Sequence, residues 1–210
     1  MDGFWRATIE CFLLTMVTEI GDKTFFMSVV MAMRHSKVFV LLGSLSALIL
    51  MTLLSTLAGR FIPTVLDPSY TTALAFGLFT FFGVHMMLEW WNSPVGQGAV
   101  FEETKKELKS QDTESSTQRL GNLMIWMRCF WITFLAEWGD RSQLTTVTLA
   151  ASRNAYGIAL GGILGQTLCT TVAVLGGAFL AARISERMVS LVGGLFFLAS
   201  GSVIGLTMLV

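Results

Sequence analysis

The stretch Glu19-Ile-Gly-Asp-Lys-Thr24 decides the fold of this protein, because it recurs 118 positions later as Glu137-Trp-Gly-Asp-Arg-Ser142. Each copy lies in the middle of a long apolar segment, where an uncompensated charge costs at least ~3 kcal/mol of insertion free energy. Two acidic residues in each copy therefore predict a function that requires carboxylates inside a membrane.

The two acids of each copy are three positions apart, so a continuous helix would place both on one face. That face continues towards the N-terminus through a threonine and a cysteine in each copy. Both copies read C-x3-T-x3-E-x-G-D-(K/R)-(T/S), and the added positions are Cys11, Thr15, Cys129 and Thr133.

The composition is that of an integral membrane protein. Of the 210 residues, 53% are hydrophobic, and the mean hydropathy is +0.67. Apolar runs of this length are not needed for a soluble core and are typical of spanning helices. We expect an all-α integral membrane protein with six transmembrane helices, at roughly residues 7–33, 38–59, 71–91, 124–151, 155–181 and 188–209.

The sequence disfavours several other classes of protein. The net charge is zero, and no basic patch points to nucleic acid. The three cysteines form neither a disulfide framework nor a zinc pattern, and we expect them to be buried side chains. No Ser/His pair or HExxH motif accompanies the acids, so we expect neither an enzyme nor a resident cofactor. The apolar N-terminal stretch lacks a cleavage-site pattern and is interpreted as a retained first helix.

The chain is an internal duplication. Residues 5–91 align with 123–209 at a constant offset of 118 without a gap, and glycine and polar positions coincide as well as apolar ones. Because each copy has three helices, the second enters from the opposite side of the membrane, which gives the inverted repeat of many secondary transporters. We divide the chain into a first repeat (1–91), a hydrophilic loop (92–123) and a second, inverted repeat (124–210).

The lysines and arginines of the loops predict the orientation. The short loops hold four of them on the side of the 92–123 loop and three on the other side. Under the positive-inside rule the 92–123 loop is cytosolic, and both termini face the lumen or the exterior. The short-loop lysines and arginines on the side of the 92–123 loop are Arg34, Lys37, Arg183 and Arg187, and those on the other side are Arg6, Arg60 and Arg153. Within the 92–123 loop, residues 101–109 have the composition of a short charged helix.

The motif acids have the chemistry of a site for a hard divalent cation. Ca²⁺, Mn²⁺ and Mg²⁺ prefer oxygen ligands, whereas zinc and copper sites usually recruit histidine or cysteine, and no histidine lies near either copy. Gly21 and Gly139 relax the backbone, so an opened turn there would add carbonyl oxygens. The candidate ligands are Glu19, Asp22, Glu137 and Asp140.

The charge of this site predicts exchange. Four acids with Lys23 and Arg141 leave a net charge of minus two, which one divalent cation or two protons would neutralise. Metal and protons therefore compete for the same carboxylates. The alternative for the same residues is an ion-pair lock between helices. Further polar residues expected to support the site are Thr15, Thr24, Thr133, Ser142, Gln143 and Gln166.

These residues resemble the signature of uncharacterised protein family 0016, the Golgi-type manganese/calcium–proton exchangers related to transmembrane protein 165. The family signature E-x-G-D-(K/R)-(T/S) is satisfied by both copies, and the resemblance spans nearly the whole chain. It implies that Mn²⁺ and/or Ca²⁺ leave the cytosol in exchange for protons, in the Golgi or a related endomembrane, or else in the plasma membrane. The four motif acids are then ligands, Thr24 and Ser142 flank them, and Lys23 and Arg141 hold the basic position.

A different cargo would fit the same acidic site. An exporter of a small organic cation, such as a basic amino acid, would use the carboxylates together with aromatic contacts, for which Trp90 and Trp138 are the candidates. The residues do not rank Mn²⁺ over Ca²⁺, since both accept oxygen ligands. His35 and His85 lie near segment ends and are expected at the membrane interface.

Overall fold

A computed structural model describes residues 2–65, 67–92, 104–106, 108, 121–181 and 186–209. Within these ranges the secondary structure is helical, with no strand. Residues 104–106 and 108 are helical where the sequence predicts a short charged helix, and the rest of that predicted helix lies outside the described residues. The long helices are α1 (Asp2–Glu19), α2 (Lys23–Arg34), α3 (Lys37–Val65), α4 (Pro68–Asn92), α5 (Asn122–Ala136), α6 (Arg141–Ser152), α7 (Ala155–Ala181) and α8 (Glu186–Leu209).

Two of the six predicted apolar segments are broken into shorter helices. The first is divided between α1 and α2, and the fourth between α5 and α6, with both breaks inside the repeated motif. The backbone angle φ is +86° at Gly21 and +80° at Gly139, a left-handed conformation that glycine adopts without a steric penalty. The expectation that each pair of acids shares one continuous helix face is therefore wrong, because the helix stops between them.

The remaining segments have the length and surface of membrane helices. In the described part of the chain, the helices long and apolar enough to cross a membrane are Lys37–Thr64, Tyr70–Asn92, Ala155–Gly176 and Arg187–Leu206. Large apolar side chains such as Leu57, Leu164 and Leu195 lie exposed on their outer faces, as lipid contact requires. The protein is thus a multi-pass helical membrane protein, and six spans in an inverted repeat stay a prediction.

The helices pack in pairs that mix the two predicted repeats. Helix α1 lies along α7, α3 packs against α5, α6 and α7, and α4 lies along α8. By the offset of 118, α1 corresponds to α5 and α7 to α3, so the α1–α7 and α3–α5 contacts are counterparts of each other. The core therefore depends on contacts between repeats.

Glycines allow these helices to approach closely, and they do so at corresponding places. A Cβ atom on Gly43 would lie 2.5 Å from the carbonyl oxygen of Trp126, and one on Gly161 would overlap the carbonyl oxygen of Thr8. Both members of the second contact are 118 positions from those of the first. Small residues permit such backbone contact between membrane helices. A second corresponding pair of contacts joins Gly83 to Leu198 and Gly201 to Thr80.

We expect Gly43→Leu to lower the free energy of unfolding by roughly 1–3 kcal/mol, because the added side chain meets the α5 backbone and forces the helices apart. Thermal unfolding of the purified protein in detergent measures the change. Gly77→Ala is the matched control, since nothing lies within 4 Å of a Cβ at this helical position. Equal melting temperatures for the two variants would show that the α3–α5 contact is not tight.

Candidate cation site

The two helix breaks bring three motif acids together. Glu19 is the last residue of α1, Glu137 follows α5, and Asp22 precedes α2. One carboxylate oxygen from each of the three lies within 4.8 Å of the others. Oxygens on opposite sides of Ca²⁺ are about 4.6–5.2 Å apart, since each Ca–O distance is about 2.3–2.6 Å. The three carboxylates, which come from both repeats, therefore have the spacing of ligands to one cation.

The two glutamates are buried, and one of them is incompletely satisfied. Glu19 and Glu137 are each only 3% exposed. The Oε2 atom of Glu137 accepts a hydrogen bond of 3.5 Å from Ser142 Oγ, but its buried Oε1 has no hydrogen-bond partner among the described residues. A buried polar atom without a partner costs roughly 1–3 kcal/mol. A cation or a proton on this carboxylate would remove the penalty.

The hydroxyls at the last position of the two motifs lie beside the buried glutamates, and each reaches the glutamate of the other copy. Thr24 lies within hydrogen-bonding range of the Glu137 carboxylate, and Ser142 within range of the Glu19 carboxylate. A hydroxyl can donate to an ionised carboxylate without adding charge. These contacts, together with the Ser142–Glu137 hydrogen bond within the second copy, account for a threonine or serine at the motif position that follows the base.

The breaks themselves form the same turn twice. Asp22 N donates to Glu19 O, and Asp140 N donates to Glu137 O, both at 3.2 Å. These two carbonyl oxygens therefore close the turns, whereas the sequence predicted that the opened turn would add its carbonyls to the site. In the second copy Gln143 Oε1 also accepts a 2.6 Å hydrogen bond from Gly139 N, so this predicted supporting residue stabilises the turn.

Helix dipoles act on the glutamates as well. Glu19 ends α1 and Glu137 follows the last residue of α5, so both carboxylates lie at C-terminal helix ends. The unsatisfied carbonyls at such an end carry partial negative charge, which disfavours an anion and favours a cation. The C-terminal ends of α1 and α5 therefore favour positive charge beside the two glutamates.

The fourth predicted ligand, Asp140, is used differently from its counterpart Asp22. Asp140 caps α6, because its Oδ2 accepts a 3.2 Å hydrogen bond from Ser142 N. Asp22 stands at the same position before α2 but makes no such cap, and its Oδ1 lies 3.4 Å from Nη2 of Arg141. Asp140 is thus outside the group of three converging acids, although it lines the same cavity as Asp22.

A cavity of about 630 Å³ opens beside the breaks, on the side of the 92–123 loop. It is lined by the Gly-Asp-base part of both motif copies, by the C-terminal half of α4 and by the first turn of α8. Thr104, from the loop, also lines it. The Asp22 carboxylate is therefore accessible from this side, while Glu19 and Glu137 lie deeper.

Sequence reasoning missed one charged residue of this cavity. Glu89, near the end of α4, has its Oε2 3.8 Å from Nη1 of Arg141 and its Oε1 3.3 Å from Nδ1 of His85. The sequence feature that could have identified Glu89 is an acidic residue within an apolar segment. The corresponding position of the second repeat is a threonine, Thr207, so the acid is not part of the repeated pattern.

Most of the remaining predicted residues are buried around the breaks. Gln166 lines a narrow crevice together with Glu19 and Thr24. The cysteines and threonines of the extended pattern are buried, with Cys11 Sγ 4.0 Å from Thr15 Oγ1 and Thr133 Oγ1 donating to Ser44 Oγ at 3.3 Å. All three cysteines are buried and free, as the sequence predicts. Lys23 is exposed and lines the cavity with Arg141.

A family model described as "Divalent cation/proton antiporter GDT1" matches residues 7–94 and 125–209. The chain belongs to the GDT1 family. The resemblance inferred from the two motif copies is thereby confirmed, and the family is one of transporters. The matched residues include both helix breaks and leave out most of the 92–123 loop.

Relatives of this GDT1 family member are found in plants. It is 44% identical over 198 residues to "GDT1-like protein 3" of Arabidopsis thaliana, covering 91% of this chain and 68% of the relative. With "GDT1-like protein 5" of the same plant it shares 40% identity over an alignment of 220 positions, which covers 96% of each chain. With "Protein PAM71-homolog, chloroplastic", also of Arabidopsis thaliana, it shares 42% over 199 residues, 89% of this chain and 55% of the relative. No solved structure matches significantly.

We expect Gly139→Ala to destabilise the protein by about 1–2 kcal/mol, because an L-residue pays this penalty in the left-handed region. Steric overlap does not contribute, since nothing lies within 4 Å of a Cβ at Gly139. Gly3→Ala, in the equally open first turn of α1, is the control and should be neutral or stabilising. Thermal unfolding in detergent compares them, and an unchanged melting temperature for Gly139→Ala would argue against the observed turn.

Proposed function

We propose that this protein exchanges Mn²⁺ and/or Ca²⁺ for protons and moves the metal out of the cytosol, with Glu19, Asp22, Glu137 and Asp140 as the ligands. The observation that carries the proposal is the convergence of three acids from both repeats, two of them buried and one with an unpartnered oxygen. The family description, which names divalent cations and protons, supports it.

The charges of the site explain the exchange. Three converging carboxylates and the Arg141 guanidinium beside Asp22 have a formal charge of minus two. A buried net charge is strongly disfavoured, so the site holds either one divalent cation or two protons. Because the same oxygens bind both, entry of one requires release of the other.

The different roles of Asp22 and Asp140 suggest how the site changes sides. In an inverted repeat the two halves exchange conformations when access alternates across the membrane. Asp140 would then leave its cap and join the glutamates, while Asp22 would cap α2. The corresponding glycine contacts of α3 and α7 support equivalent halves. In the proposed orientation, the large cavity faces the cytosol.

The choice of cargo and membrane extends the same proposal. Ca²⁺ and Mn²⁺ both accept carboxylate oxygens, so both stay candidates. The family description gives no support to export of an organic cation. A Golgi or related endomembrane location is proposed from the motif resemblance, although one relative is described as chloroplastic.

We expect Glu19→Gln and Glu137→Gln each to reduce exchange by at least ~100-fold, since losing even a residue that orients a metal ligand costs ~10–100-fold. Uptake of Mn²⁺ and Ca²⁺ into proteoliposomes measures the rate, and circular dichroism checks the fold. Glu10→Gln is the control, because Glu10 pairs with Arg153 and does not line the cavity. Exchange at the wild-type rate in both site variants would instead favour an ion-pair lock.

Protons and metal should compete. The apparent affinity for Mn²⁺ or Ca²⁺ is expected to fall as the pH is lowered, because the ligands bind metal only when deprotonated. Metal flux into vesicles with the voltage clamped should follow an imposed pH gradient, and proton flux should have the opposite direction. A metal flux that ignores the gradient under clamp would indicate a uniporter, and proton exchange driven by a basic amino acid would indicate the organic cargo.

A further inference from the structure

Arg141 is shared between a candidate ligand and an acid outside the motif. Its Nη2 lies 3.4 Å from Asp22 Oδ1, and its Nη1 lies 3.8 Å from Glu89 Oε2. We propose that Glu89 is a positioning residue that holds the Arg141 guanidinium away from the bound cation. The inference rests on the proposed function, because it assigns Asp22 to the cation.

The two partners of Arg141 cannot both be kept when a cation binds. Asp22 is one of the three acids that converge, so its carboxylate would turn towards the metal. A guanidinium left at the same carboxylate would then repel a divalent cation at short range. Arg141 therefore has to move from Asp22 to another anion.

Glu89 is placed to receive it. A guanidinium presents several N–H donors in a planar fork, so it can keep one carboxylate while it releases another. The Arg141 side chain is 20% exposed and that of Glu89 is 42% exposed, and both line the cavity, which leaves open space beside the pair. The Nδ1 atom of His85 stands against Oε1 of Glu89, which leaves Oε2 for the guanidinium.

The positions that correspond to Arg141 and Glu89, 118 residues away, hold different residue types. The base that corresponds to Arg141 is Lys23, and the position that corresponds to Glu89 is Thr207. An ammonium is a single point charge and cannot span two carboxylates as a guanidinium does. The Arg141–Glu89 pair joins the two repeats and has no arginine–acid counterpart at the corresponding sequence positions, and it strengthens cation binding from the side on which the large cavity opens.

Equilibrium binding of radioactive Mn²⁺ and Ca²⁺ to the purified full-length chain in detergent tests the role of Glu89. We expect Glu89→Gln to weaken binding ~10-fold, the scale for residues that orient ligands, and Glu89→Asp, which keeps the charge, to stay within ~3-fold. Glu10→Gln should leave binding unchanged. An unaltered affinity in Glu89→Gln would overturn the proposal. If this variant does not fold, Glu89→Asn compared with Glu89→Asp makes the same comparison.

The same substitution in an Arg141→Gln background separates positioning from simple attraction. Without the guanidinium, Glu89 can no longer act on the cation through Arg141. Because the effects of the two residues are coupled in this way, Glu89→Gln should then change affinity less than ~2-fold. A full loss in that background would show that Glu89 only attracts cations, and would overturn the proposal. Wild-type protein that exchanges metal for protons, combined with either contrary result, rejects the role of Glu89 alone. Wild-type protein that binds no divalent cation rejects the proposed function as well.

Discussion

The structure depends on two glutamates that are buried together although each bears a potential negative charge. Glu19 and Glu137 are almost inaccessible, and Asp22 lies within the same small space. Carboxylates at this separation in a medium of low dielectric constant repel one another strongly unless positive charge is present. The hydroxyls of Thr24 and Ser142 and the guanidinium of Arg141 offset only part of this repulsion. In the proposed exchange, binding of a divalent cation or protonation would offset the rest, and each would exclude the other.

This arrangement requires that the helices stop where they do. In a continuous helix through either motif, the backbone groups beside the acids would be paired within the helix, and no helix end would lie at the site. The left-handed glycines Gly21 and Gly139 follow the end of one helix, and the next helix begins two residues after each glycine, with an aspartate before it. Four helix ends thus meet at the acids, which concentrates backbone charge at the one place where polar groups are needed. Elsewhere, close glycine contacts between repeats keep the apolar helices packed.

The two halves of the site are alike in sequence but not in conformation. Asp140 caps a helix, whereas Asp22 contacts Arg141, and Arg141 also approaches an acid outside the motif, Glu89. In the proposed cycle, near equivalence would let the halves exchange roles, and the differences would let the two access states bind a cation with different strength. A transporter that moves its cargo mainly in one direction gains from such a difference, although the direction itself is set by the gradients. The GDT1 family description, divalent cation/proton antiporter, fits a site of this kind.

The sequence by itself determined the duplication, the apolar segments, the motif acids and the family, because each of these is a pattern along the chain. It also indicated that Gly21 and Gly139 loosen the backbone, but not that both helices end there, since a glycine in a helix is compatible with a bend or a break. Only the tertiary structure decided that Asp22 and not Asp140 joins the two glutamates, that the hydroxyls cross between repeats, and that Glu89 approaches Arg141. Most of these are contacts between residues that are far apart in the chain and are brought together by helix packing. A periodic pattern fixes which face of a helix is apolar, but not the distance between two such faces.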